Sequence, residues 1–242
     1  EIGVRLVGSE MCIRDRNQLV QKIHETGVPT IVVLVGGRPL SVNWIAQNVQ
    51  ALVQAWEPGA LGGRALANIL TGKVNPSAKL PISIPRHSGQ IQMIYNHKPS
   101  QYFHKYIDGP STPLYPFGFG LSYTRFDYSG LKLSHARISA MDSFTASLEL
   151  TNVGNREGTE VVQLYIRDVY SSATRPVKEL KDFARVTLKP GEKKTVTFTV
   201  TPDKLAYWNR NMQYGVEKGE FEIMIGSSSQ DKDLKKVKIE VI

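Results

Sequence analysis

Apolar and polar positions change rhythm partway along the chain. Up to Leu114, short apolar runs alternate with helix-spaced patterns and Gly/Pro turns. After Phe126, nearly every segment alternates one apolar with one polar residue, the period of a strand with one face in a core and the other in water. The first pattern predicts strands and helices in turn, hence an α/β layer; the second predicts an all-β domain.

In the first half, Asn17 is read as a helix cap, with Leu19, Val20 and Ile23 at helical spacing and Gly27 as the stop. Thr30–Val35 is short, unbroken and β-branched, the pattern of a strand buried on both faces. A short helix over Ser41–Gln47 turns Trp44 and Ile45 inward, Ala51–Trp56 is the next strand, and Glu57-Pro58-Gly59 breaks it. Leu61, Ala65, Leu66, Ile69 and Leu70 mark an amphipathic helix closed by Gly72, and Ile82–Ile84 is a last short strand ended by Pro85. The order strand–helix–strand–helix–strand is the tail of a doubly wound sheet, with too few strands to stand as a layer by itself.

The second half is read as a sandwich. Phe144–Leu150, Val162–Ile166, Val196–Val200, Phe221–Ile225 and Val237–Val241 each alternate cleanly. With Leu131–Leu133 and the Leu180–Leu188 region they give about seven strands, the count of an immunoglobulin-like fold without its disulfide. Between the halves, Tyr115–Phe126 sets Tyr115, Phe117, Phe119 and Tyr123 among glycines. Rings that each bury roughly 150–250 Å² do not belong in a flexible linker. They predict a wedge that clamps the halves together, with Gly118 and Gly120 at close backbone approaches.

Charge and composition narrow the chemistry. The formal charge is +8, but the basic residues are spread out. The densest cluster, Lys235, Lys236 and Lys238, interleaves with an inward-facing strand pattern and reads as a solvated sheet face, not a nucleic-acid groove. No apolar run is long enough for a membrane span, and no secretion leader is visible at the N-terminus. One cysteine, Cys12, excludes an internal disulfide and leaves the compartment open. No cofactor is expected: Gly62-Gly63 is not followed by a phosphate-loop Lys-Ser/Thr, and no Gly-x-Ser-x-Gly elbow occurs. His87, His97 and His104 stand at spacings that match no metal motif. They lie in the aperiodic stretch Arg86–Leu114 with Tyr95, Tyr102 and Tyr106, which reads either as packing against another domain or as the rim of a binding site. Arg38, after the first strand, either faces a ligand crevice at the carboxyl edge of the sheet or closes a tight turn. Tyr207-Trp208-Asn209 is either a sugar-stacking platform or a capped edge or domain contact.

Several stretches carry a resemblance. Gly-Gly-Arg-Pro-Leu at 36–40, Ala-Trp-Glu-Pro-Gly at 55–59, Leu-Thr-Gly-Lys-Val-Asn-Pro-Ser-Ala-Lys-Leu-Pro-Ile-Ser at 70–83 and Pro-Phe-Gly-Phe-Gly-Leu-Ser-Tyr-Thr at 116–124 resemble glycoside hydrolase family 3, the β-glucosidases and β-xylosidases. Thr174–Phe183, Leu188–Glu192 and Gly226–Ser228 resemble that family's fibronectin-III-like domain. The resemblance implies residues 17–114 as the last part of an α/β sandwich domain, 115–126 as the aromatic junction and 127–242 as the fibronectin-III-like domain.

It also implies a function: the C-terminal portion of a retaining exo-β-glycosidase acting on terminal β-linked sugars. Such enzymes use a nucleophilic carboxylate and an acid/base carboxylate roughly 5–5.5 Å apart. In the family the nucleophile belongs to an N-terminal barrel domain, a partner this stretch does not contain. The acid/base is a Glu shortly before an Asp-Arg pair. Asp15-Arg16 imitates that pair, but Glu10 precedes it by five residues and the following Leu-Pro-Gly step is missing. Leu6–Arg16 resembles one reading frame of a sequencing adaptor, so residues 1–16 are expected to be foreign or disordered. Accordingly no catalytic, cofactor or metal residue is assigned, and this stretch is expected to be inactive alone. The implied parent is periplasmic or secreted and acts on an oligosaccharide or β-glycoside. The competing expectation is a non-catalytic carbohydrate-binding or adhesion module built on the fibronectin-III-like domain.

Overall fold

The computed structural model describes residues 9–90, 93–99 and 109–242, with side chains from Arg16 onward. Tyr102, His104 and Tyr106 therefore lie outside the described residues. The chain opens with helix α1 (Ser9–Glu25), β1 (Ile31–Val35), α2 (Asn43–Asn48), β2 (Ala51–Trp56) and α3 (Gly62–Leu70). Helix α1 begins eight residues before the cap expected at Asn17, which sits inside it. Gly27 and Gly72 end their helices at φ 76° and 71°, the left-handed turn that only glycine adopts without strain.

Strands β1 and β2 pair in parallel, Ile31 opposite Ala51 and Val33 opposite Val53. The expectation that Thr30–Val35 is buried on both faces fails: Ile31 and Val35 are 51% and 59% exposed. Its β-branched composition is that of an interior strand, but among the described residues it has one neighbour. The third expected strand, Ile82–Ile84, does not join the pair either. Ile84 makes an isolated antiparallel bridge to Tyr115, donating to its carbonyl at 2.8 Å. Pro81 and Pro85 on either side remove the donors a longer ladder would need.

Seven strands of eight or more residues follow: β3 (Phe126–Leu133), β5 (Phe144–Asn152), β6 (Gly158–Asp168), β7 (Glu179–Leu188), β8 (Lys193–Val200), β11 (Gly219–Gly226) and β12 (Leu234–Val241). Two-residue strands β4 (Arg137–Ile138), β9 (Tyr207–Trp208) and β10 (Tyr214–Gly215) and the short helix α4 (Pro202–Leu205) decorate them. One sheet runs β4-β12-β11-β6-β7 and the other β3-β5-β8. Their inner faces supply one core in which Ala146, Leu150, Val162, Leu164, Leu188, Val200, Ile223 and Ile225 are fully buried. At about 25 cal/mol per Å², each such leucine or isoleucine contributes roughly 1.5–3 kcal/mol. The alternation along β5, buried at every second residue from Phe144 to Asn152, is the one read from the sequence.

Strand β6 departs from that alternation. Gln163 and Tyr165, on its outer face, are as buried as Val162 and Leu164 on its inner face. The cover is the junction. Phe117 stacks on Tyr95 at 4.2 Å, Tyr95 meets Tyr165 edge-on at 5.8 Å, and Tyr165, Met224 and Leu234 form a second apolar cluster beneath them. The wedge is thus real, though Tyr123 is 43% exposed and works differently: its hydroxyl donates to the Ile69 carbonyl at 2.8 Å, with Arg156 above its ring.

Backbone hydrogen bonds lock the wedge. The amide of Leu80 donates to Phe119, that of Gly118 to Leu80, and that of Ser229 to Phe117. Asn75 ties three parts at once: its Oδ1 accepts from Ser122 Oγ and Tyr123 N, and its Nδ2 donates to the Glu157 carbonyl. Lys79 and Glu160 form a buried ion pair at 2.8 Å across the same seam.

Candidate functional site

Two places in this fold collect chemistry. The first is the carboxyl edge of β1 and β2, where an open α/β sheet receives ligands. Gly36-Gly37-Arg38 follows β1, and Glu57-Pro58-Gly59 follows β2. The Gly36 amide donates to the Trp56 carbonyl at 2.9 Å, so the two loops are tied at their roots. A Cβ on Gly37 would lie 3.1 Å from Glu57 Oε1, and one on Gly62 would lie 2.6 Å from Pro58. Both glycines are therefore close approaches. Trp56 adopts φ 53°, an uncommon backbone for a bulky side chain, at the point where the β1–β2 register slips. Sequence reading missed this strain; the Trp-Glu-Pro-Gly breaker marks the turn but not its handedness. Arg38 and Glu57 are both exposed, so the edge puts one cation and one carboxylate in water.

The second is a crevice of about 680 Å³ between the long connection, the junction and the outer face of the five-stranded sheet. Tyr95, Tyr115, Phe119 and Met224 give it an apolar floor, and Arg167 and Lys178 are among the cations at its wall. Lys178 is largely buried, with its ammonium on the Ser229 carbonyl at 2.9 Å and on Asp231 at 2.7 Å. His97 is buried beside it, and its amide partner Val177 donates to the His97 carbonyl at 3.0 Å. Burial holds the His97 imidazole below its ordinary pKa, Lys178 adds to that, and a hydrogen bond with the Lys98 carbonyl opposes it. The phenol of Tyr165 is pushed far up by burial and donates to Gln163 Oε1 at 2.5 Å. These groups hold neutral forms in place, which suits a packed seam better than proton transfer.

Several of the sandwich carboxylates are used in ion pairs. Arg175 bridges Asp168 and Glu179 at 3.4 and 2.5 Å, and Asp182, Glu149, Glu220 and Glu240 each meet a Lys or Arg. Burial raises the Asp168 carboxyl above its usual range despite Arg175. Among the described residues no group of three His, Cys, Asp or Glu side chains is arranged to hold a metal ion. Glu10 and Cys12 lie in α1, but their side chains fall outside the described residues. Tyr207, Trp208 and Asn209 stand apart from both places, on the β9–β10 hairpin.

Residues 10–123 match the family model of the glycosyl hydrolase family 3 C-terminal domain, and residues 160–229 that of a fibronectin type III-like domain. The chain is 44% identical to a periplasmic β-glucosidase of Salmonella typhimurium over 89% of its own length and 30% of that protein's. It is 46% identical to a β-xylosidase of Formosa agariphila over 93% of its own length and 32% of that protein's. Among solved structures it superposes on a β-glucosidase from Erythrobacter marinus with a TM-score of 0.90 at 42% identity, covering 94% of this chain and 30% of that one. A β-glucosidase from Listeria innocua in complex with glucose gives 0.86 at 36%, covering 93% and 32%. The chain spans about a third of the length of the relatives it matches. It belongs to glycosyl hydrolase family 3, as that family's C-terminal domain joined to a fibronectin type III-like domain.

Proposed function

We propose that this chain is the supporting portion of a retaining exo-β-glycosidase that removes terminal β-linked glucose or xylose, in a periplasmic or secreted protein. The observation that carries the reading is the close likeness to β-glucosidases and β-xylosidases over only a third of their length. Two further facts support it. The sandwich carboxylates Asp168 and Glu179 are both held on the Arg175 guanidinium, as in a structural ion-pair network. The bonds between the halves are dense and buried, as a scaffold requires. In this reading, residues 17–114 complete the α/β domain, 115–126 form the junction and 127–242 hold it rigid, while an N-terminal barrel brings the nucleophile.

The test has two arms. The purified chain is incubated with nitrophenyl β-glucoside and β-xyloside, and no turnover above a no-protein blank is expected. The chain then replaces the matching third of the Salmonella periplasmic β-glucosidase, and the chimera is expected to hydrolyse the glucoside. Turnover by the isolated chain, or a folded chimera without activity, would overturn the reading.

A further inference from the structure

The β9–β10 hairpin carries an aromatic pair that neither the core nor the junction uses. Trp208 and Tyr214 are directly opposite across the two strands, with ring centroids 5.4 Å apart, and are 60% and 55% exposed. Exposed rings of this size are normally withdrawn from water unless something covers them. The support beneath them is rigid. Tyr207, the next residue along β9, turns the other way, under the Arg175 guanidinium at 4.6 Å, and its hydroxyl lies 3.1 Å from Ser172 Oγ. Glu217 accepts from Ser172 as well, at 2.6 Å. At the turn, Asn209 Oδ1 accepts from the amides of Asn211 and Gln213 at 2.9 and 3.0 Å, and Met212 takes the left-handed backbone, φ 57°. The Tyr214 hydroxyl reaches the Asp203 carbonyl at 3.4 Å. Arg210, Asn211 and Gln213, all exposed in the turn between the two strands, carry side chains able to donate hydrogen bonds.

We propose that Trp208 and Tyr214 form a binding platform for a neutral β-linked glycan chain. A pyranose ring has one face of C–H groups that stacks on an aromatic plane and a rim of hydroxyls that needs polar neighbours. The hairpin presents both on a preorganised frame, so little conformational freedom is lost on binding. The centroid spacing is close to the length of one sugar unit, so neighbouring units meet neighbouring rings. The ring planes are tilted by 51°, which makes the strip bent, not flat. A bent strip fits a chain whose successive units rotate, such as a β-1,3-glucan or a β-1,4-xylan, better than the flat ribbon of cellulose. A protein partner fits worse: two rings and Met212 amount to a few hundred Å², short of the ~800 Å² per side that a stable interface buries.

The choice of β-linked sugars rests on the proposed function, but the test needs no turnover, so the two readings fail separately. Native gels of the whole chain are cast with laminarin, xylan or hydroxyethylcellulose, and laminarihexaose, xylohexaose and cellohexaose are titrated calorimetrically. Laminarin or xylan is expected to retard the chain more than the cellulose derivative, and the two hexaoses separate the two linkages. Trp208→Ala and Tyr214→Ala are each expected to weaken binding roughly tenfold, while Trp208→Phe keeps most of it. Phe183→Ala, which removes another exposed ring, is expected to leave binding unchanged. Absence of retardation by every glycan, binding by Trp208→Ala equal to the parent chain, equal loss in Phe183→Ala, or preference for cellohexaose would overturn the proposal.

Discussion

The side-chain amide of Gln163 donates to the Gly118 carbonyl at 3.1 Å while its oxygen accepts the Tyr165 hydroxyl at 2.5 Å. A residue on the outer face of β6 thus reads the backbone of the junction, and its neighbour two positions on fixes its orientation. The Gln163 amide also donates to the Ser227 carbonyl at 2.8 Å, so one side chain joins β6, the junction and the loop after β11.

Gly118 should therefore tolerate no side chain. It has φ 78°, and a Cβ there would lie 2.1 Å from Gln163 Oε1. Gly191 has a similar φ of 75° with nothing within 4 Å. Gly191→Ala is expected to cost about 1 kcal/mol, the backbone term alone. Gly118→Ala is expected to cost about 3 kcal/mol, strain plus the forced break of a buried network. Urea unfolding of the two variants separates the contributions, and equal losses would refute the network.

Lys79 and Glu160 meet at 2.8 Å with side chains 12% and 8% exposed. Lys79 also donates to the Gly120 carbonyl at 3.2 Å. Removing one member leaves a buried, uncompensated charge, so Lys79→Met is expected to destabilise the chain by about 3–5 kcal/mol. The double variant Lys79→Met, Glu160→Leu is expected to recover much of that, because two buried charges are then avoided together. A double-mutant cycle by denaturant unfolding measures the coupling; strictly additive losses would show that the pair does not interact.

His97 gives the fold an acid sensitivity with a defined sign. Its folded-state pKa lies below the ordinary 6.5, chiefly through burial and further through Lys178. The unfolded chain then binds more protons than the folded one. Stability is fully present above about pH 6.5 and is lost as pH falls through the lower folded value. Among the described residues, Lys178, which is paired with Asp231, is a charged side chain acting on the ring, and the backbone carbonyl of Lys98 bonds its Nδ1. The melting temperature is expected to fall between pH 7 and pH 5, and less steeply in His97→Gln. Parallel curves for the two proteins would assign the acid loss elsewhere.

Where one face of an element meets a continuous core, the sequence pattern predicted the structure well. Phe144 to Leu150 needed only alternation, and β5 buries every residue that pattern points inward. The pattern failed where burial comes from outside the element. Gln163 and Tyr165 alternate as polar-face residues, yet the junction covers them, and no local period encodes a cover that arrives from 45 residues away. Ile82–Ile84 has strand composition but finds its partner in Tyr115, because two prolines deny it a ladder. At the candidate edge, the Gly-Gly-Arg and Trp-Glu-Pro-Gly stretches located the loops after β1 and β2. The left-handed Trp56 did not show, since an apolar residue in that region of backbone space leaves no compositional trace.

The parallel pair β1–β2 has a further consequence. Its sheet has two strands among the described residues, so each strand has an edge of backbone amides and carbonyls without a strand beside it, and Ile31 and Val35 add greasy margins. Such a rim is a template for any extended segment that drifts near, another molecule of the same chain above all. Purified alone, this polypeptide should be a sticky, concentration-sensitive material whose light scattering climbs on standing, however sound its sandwich remains.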